Sequence, residues 1–76
     1  MPTAADLQDL IVATLARRLG RTQRHWRSVL GPVKVLDRDH YPHCNWSVAP
    51  SGDSREVAEV ERLLDTLRLS HPIVTD

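Results

Sequence analysis

The chain has 76 residues, of which 41% are hydrophobic, and its formal net charge at pH 7 is zero. This length predicts one small domain over residues 1–76 and leaves no room for a second hydrophobic core. The single cysteine, Cys44, excludes an intrachain disulfide. We therefore expect packing, a metal or a partner subunit to stabilise the fold.

The segments that direct a protein to another compartment are not visible in this sequence. The first residues lack the basic start and the apolar run of a signal peptide. The longest apolar stretches fall far short of the roughly 18 residues that cross a membrane. A lone cysteine without a targeting segment is typical of a reducing compartment, so we expect a cytoplasmic protein with no membrane contact.

The N-terminal segment predicts an amphipathic helix over residues 4–19. Its large aliphatic residues recur every three or four positions and should share one face: Leu7, Leu10, Ile11, Leu15 and Leu19. The Thr3 hydroxyl can accept a hydrogen bond from the first turn, and Asp6 completes a capping box. Gly20 suits the positive φ that commonly ends a helix.

A second, short helix is predicted over residues 22–30, with Thr22 as its cap and Gly31 and Pro32 at its end. Its inner face would carry Trp26, Val29 and Leu30. At 100° per residue, the apolar residues before and after Gly20 fall on one common helical face, so one long helix is the alternative. We favour the break because about 27 helical residues would reach roughly 40 Å, too long for a monomer of this size.

Two short strands are predicted over residues 33–36 and 44–48, where β-branched and alternating apolar residues occur. The polar, proline-containing segment between them suits a hairpin connection. An isolated hairpin is marginal in water, so one face of this antiparallel pair should pack on the helices.

The third helix is predicted over residues 54–69, capped by Asp53 with Glu56 at the capping-box position. Its apolar stripe comprises Val57, Val60, Leu63, Leu64 and Leu67. Pro72 prevents further helix, so residues 71–76 should form an extended tail that either docks or frays. The expected fold class is α+β, a small two-layer domain of order α-α-β-β-α.

Residues 40–46 concentrate the chemically reactive side chains, including His40, His43 and Cys44. These three are potential zinc ligands or a thiol site. However, neighbouring residues on a strand point to opposite faces, so His43 and Cys44 should not converge. The favoured interpretation is structural: Cys44 packs under Trp46 and the imidazoles hydrogen-bond around the turn. We predict no catalytic residue and no cofactor.

Charge is unevenly divided between the two halves of the chain. Residues 1–38 carry seven Lys and Arg against three Asp, a net +4, and residues 39–76 carry three Arg against seven Asp and Glu, a net −4. The basic half contains a candidate surface for a partner or a phosphate backbone: Arg17, Arg21, Arg24 and Arg27. The acidic third helix is an internal competitor for this charge.

Both tryptophans occupy apolar registers, so Trp26 and Trp46 are predicted to be core residues. No complete catalytic motif is present. The function expected from the sequence is a small non-catalytic interaction module that binds a protein partner or itself. The alternatives are a nucleic-acid accessory protein that uses the arginines and, less favoured, a metal or thiol site.

Overall fold

Three helices and one short antiparallel hairpin make up the fold. A computed structural model describes residues 1–76. Its elements are α1 (Ala4–Leu19), α2 (Gln23–Leu30), β1 (Lys34–Val35), β2 (Trp46–Ser47) and α3 (Ser54–Ser70). The predicted α+β class and the order α-α-β-β-α are confirmed.

The corner between α1 and α2 is a true break. Gly20 and Arg21 both have positive φ, 80° and 65°, which interrupts the helical ladder. Thr22 then caps α2, because its hydroxyl accepts the His25 N–H at 3.0 Å. The Trp26 indole N–H donates to the Gly20 carbonyl at 2.8 Å and holds the corner against α2. The single long helix is therefore excluded.

Helix α1 begins with the predicted capping box. The Thr3 hydroxyl accepts the Asp6 N–H at 3.0 Å, and the Asp6 carboxylate accepts the Thr3 N–H at 3.2 Å. The predicted apolar face is wrong in part, since Leu10 is 38% and Leu19 is 42% exposed, while Val12 is fully buried. Successive helical residues are about 100° apart, so Leu10 points away from the core, and Leu19 ends the helix where the chain turns off.

The hairpin is shorter than predicted. Only Lys34 with Ser47 and Val35 with Trp46 pair in antiparallel register, so the predicted extents of 33–36 and 44–48 are wrong. The Leu36 N–H still donates to the Asn45 carbonyl at 2.6 Å, but Asn45 donates its own N–H to Pro72 at 3.0 Å. The ladder ends there because Asn45 pairs with the C-terminal tail instead.

The tail after α3 docks. The Ala4 N–H donates to the Thr75 carbonyl at 2.7 Å, and the Thr75 N–H donates to the Pro2 carbonyl at 2.9 Å. These bonds make an isolated parallel bridge between Thr3 and Thr75. Val74 is 1% exposed and belongs to the core, so the tail closes one side of the hydrophobic interior.

One hydrophobic cluster is shared by all three helices, strand β2 and the tail. Both tryptophans lie in it, as predicted, and each is at most 2% exposed. Its buried members are Leu7, Ile11, Val12, Leu15, Trp26, Val29, Leu30, Trp46, Val60, Leu63, Leu64, Leu67 and Val74.

Candidate functional site

The loop between β1 and β2 is organised by Asp37. Its carboxylate accepts the Asp39 N–H at 3.0 Å and the His40 imidazole Nδ1 at 2.7 Å, and its carbonyl accepts the N–H groups of His40 and Tyr41. His40 thus hydrogen-bonds around the turn. His43 makes no hydrogen bond, and His40, Tyr41 and His43 are all exposed.

The pKa of Asp37 is held below its ordinary value of 3.8, first by the His40 hydrogen bond and then by the Asp39 N–H, which outweigh desolvation.

We expect His40→Ala to raise this pKa towards 3.8. Because the folded-state pKa is lowered, the interaction stabilises the fold above pH 3.8 and is lost as the pH falls through the lowered value. Carboxyl carbon NMR over pH 2 to 6 measures the shift. His43→Ala is the control, and an unchanged Asp37 titration in His40→Ala would show that the imidazole is not responsible.

Cys44 does not meet an imidazole. Its side chain is half-buried against the core, and its thiol donates to the Trp46 carbonyl at 3.6 Å. No group of three or more His, Cys, Asp or Glu side chains is placed to hold a metal ion. The structure therefore does not bring His40, His43 and Cys44 together as ligands.

Asn45 is the polar residue of this segment that the sequence did not single out. It is 1% exposed, its side-chain amide donates to the Val74 carbonyl at 2.8 Å, and its side-chain oxygen accepts the Val74 N–H at 2.7 Å. It lies between Cys44 and Trp46, so simple strand alternation would turn it away from the apolar face that they share. Its role is to hold the tail, a contact 29 residues distant that no local pattern reveals.

The predicted arginine surface is divided by the break at Gly20. Arg17 lies in the last turn of α1, Arg21 lies in the left-handed corner, and Arg24 and Arg27 lie on α2. All four are exposed, but only Arg27 has an acidic partner, Asp9 at 2.8 Å. The arginines thus remain a basic surface around the corner, although they do not form one helical stripe.

Helix α3 does not neutralise these arginines. Two of its four carboxylates pair within the helix, Glu59 with Arg62 at 3.3 Å and Asp65 with Arg68 at 2.9 Å. Glu56 does not complete the predicted capping box; its carboxylate instead lies 2.5 Å from His25 Nε2. This contact between side chains 31 residues apart ties α2 to α3.

Two adjoining depressions of about 210 and 200 Å³ lie where the end of α1 and the corner face α3. They share Leu19 and Glu59 on their borders, and we describe the two together as one groove. The floor of the groove is apolar, formed by Leu15, Leu19 and Leu63. Its rim carries Arg18, Arg21, Arg55 and Arg62. We refer to this surface as the arginine-rimmed groove.

Charge on the rim is unbalanced. Glu56 and Glu59 are the groove's carboxylates, and both are already engaged, with His25 and Arg62 respectively. Arg18, Arg21 and Arg55 have no acidic partner within 4.0 Å. The groove therefore combines an exposed leucine, Leu19, with three unpaired guanidinium groups, an arrangement suited to an acidic ligand that also carries an apolar group.

No protein-family model matches the sequence, and no curated protein and no solved structure shows significant similarity to it. None of the three helices is both long enough and apolar enough to cross a bilayer.

Proposed function

We propose that this protein is a small non-catalytic interaction module that binds an acidic protein segment in the arginine-rimmed groove. The observation that carries the proposal is the set of three unpaired arginines, Arg18, Arg21 and Arg55, around the exposed side chain of Leu19. We also propose that it acts in the reducing cytoplasm, which the free thiol of Cys44 supports.

The chemistry of the groove favours a protein segment over a purely ionic ligand. Leu19 is 42% exposed and, above the buried Leu15 and Leu63, offers an apolar surface that an inserted leucine or similar side chain would cover. Guanidinium groups form paired hydrogen bonds with carboxylates, so acidic residues flanking that side chain would meet the rim. Apolar contact supplies affinity, while the arginines steer association and fix orientation.

The test is binding of an acidic helical peptide of about 14 residues, in which leucines spaced by four are flanked by glutamates. We expect Leu19→Glu to weaken binding by at least about tenfold, because a carboxylate then occupies the floor. Calorimetry and backbone NMR shifts measure the affinity and the place of binding.

The matched control is Leu10→Glu, since Leu10 is exposed to nearly the same extent, 38%, on the same helix but does not line the groove. This control is expected to bind as the wild type does. Equal affinities in the Leu19 and Leu10 variants, or peptide-induced shifts outside the groove, would refute the proposal.

Nucleic-acid binding is the second candidate, supported by the exposed and unpaired Arg17, Arg21 and Arg24 at the corner. A short DNA duplex would bind with a steep salt dependence and lose affinity on Arg17→Ala combined with Arg24→Ala. Neither Arg17 nor Arg24 lines the groove, so peptide binding should not respond to that change. The double variant therefore distinguishes the two functions.

A further inference from the structure

Helix α3 carries an acidic stripe with an apolar end. Glu61, Asp65 and Leu69 follow one another at intervals of four residues and so lie on one face of the helix. Leu69 is 87% exposed, more than any other large hydrophobic side chain of the fold. Glu61 has no ion-pair partner, and the only one of Asp65 is Arg68 on the same helix. We call these three residues the acidic stripe.

The acidic stripe has the chemistry that the arginine-rimmed groove requires. The groove offers unpaired arginines around an apolar floor, and the stripe offers two carboxylates beside an exposed leucine. The two surfaces adjoin on the same helix, because Arg62 on the rim and Leu69 are seven residues apart, about two turns, on nearly the same side of α3. One chain cannot fold its stripe into its own groove, since the stripe and one wall of the groove belong to the same rigid helix, α3.

We propose that the partner in the groove is a second copy of this chain, which presents its acidic stripe. The inference rests on the proposed function and names its ligand. A two-fold arrangement of the two copies lets each stripe contact the other copy's groove, so both contacts form at once. Leu69 meets Leu19 and Leu63 there, and Glu61 and Asp65 meet the rim arginines.

Charge reversal with rescue tests this arrangement. The groove variant combines Arg18→Glu with Arg55→Glu, and the stripe variant combines Glu61→Lys with Asp65→Lys. We expect the wild type to approach twice the 8.6 kDa chain mass in sedimentation experiments between about 10 μM and 1 mM. Each variant alone should dissociate at least about tenfold more readily because like charges then face each other. An equimolar mixture of the two should regain dimers.

The controls separate a lost contact from a lost fold. Arg17→Glu combined with Arg38→Glu changes the net charge equally outside the groove and should associate as the wild type does. Leu69→Ala removes only an exposed side chain, so it should retain the wild-type circular dichroism spectrum. It should nevertheless weaken association at least about tenfold.

Three results would overturn the inference: a wild-type mass of 8.6 kDa over the whole concentration range, variants that associate as the wild type does, or a mixture that stays monomeric. If the wild type stays monomeric but binds the acidic peptide, the inference fails and the proposed function stands. If the peptide does not bind and the wild type does not associate, both fail.

Discussion

Replacing Trp46 with alanine is expected to lower the free energy of unfolding by about 3–5 kcal/mol. Trp46 is 2% exposed in the core, and its indole N–H donates to the His71 carbonyl at the end of α3 at 2.7 Å. The Arg68 guanidinium also lies 5.7 Å from the ring centroid. A fold of this size has a total stability of only about 4–11 kcal/mol, so this substitution should remove a large part of it.

Urea denaturation followed by far-ultraviolet circular dichroism measures this loss. Trp46→Phe separates the contributions, because phenylalanine retains most of the apolar contact but leaves the His71 carbonyl without its donor, at a cost of about 1–3 kcal/mol. Tyr41→Ala is the control, since Tyr41 is an aromatic residue of the loop that precedes β2 and is 49% exposed, and it should change stability by less than about 0.5 kcal/mol. A Trp46→Ala protein as stable as the Tyr41 variant would contradict the position of Trp46 in the core.

Replacing Asn45 with alanine is expected to release the tail and to cost about 2–4 kcal/mol. The change leaves the N–H and the carbonyl of Val74 without partners in a buried place, and each unsatisfied group costs about 1–3 kcal/mol, in part relieved by entering water. Hydrogen exchange should then accelerate at Val74 and Thr75 more than in the centres of the helices.

Ser47→Ala provides the control for Asn45. Ser47 is two residues further along, lies in β2 and makes no side-chain hydrogen bond, so this change should leave the tail protected. If exchange at Val74 and Thr75 were the same in the two variants, the Asn45 side chain would not hold the tail.

The helices could be predicted from the sequence because their ends are set by local chemistry. Thr22 and Asp53 each hydrogen-bond amides two or three residues ahead, and Gly20 interrupts the ladder through its own φ. These interactions span a few residues, so the residue types and their spacing are sufficient to find them.

The contacts between elements could not be predicted in this way. Asn45 holds Val74 across 29 residues, and Glu56 pairs with His25 across 31 residues instead of with its own helix cap. Periodicity placed Leu19 in the core, yet its surroundings depend on where α2 turns away from α1. The arginine-rimmed groove is therefore a product of tertiary arrangement, and of its four arginines only Arg21 belongs to the surface predicted from the sequence.

The bridge between Thr3 and Thr75 can form only late in the synthesis of the chain on the ribosome. The first amide of α1, that of Ala4, is paired with a carbonyl that enters the growing polypeptide 71 residues later. At about 5–20 residues per second, this interval lasts about 4–14 s. Helix α1, which is synthesised before α2 and α3, is thus among the last to acquire all its hydrogen bonds, because Thr75 must be synthesised before the bridge can form.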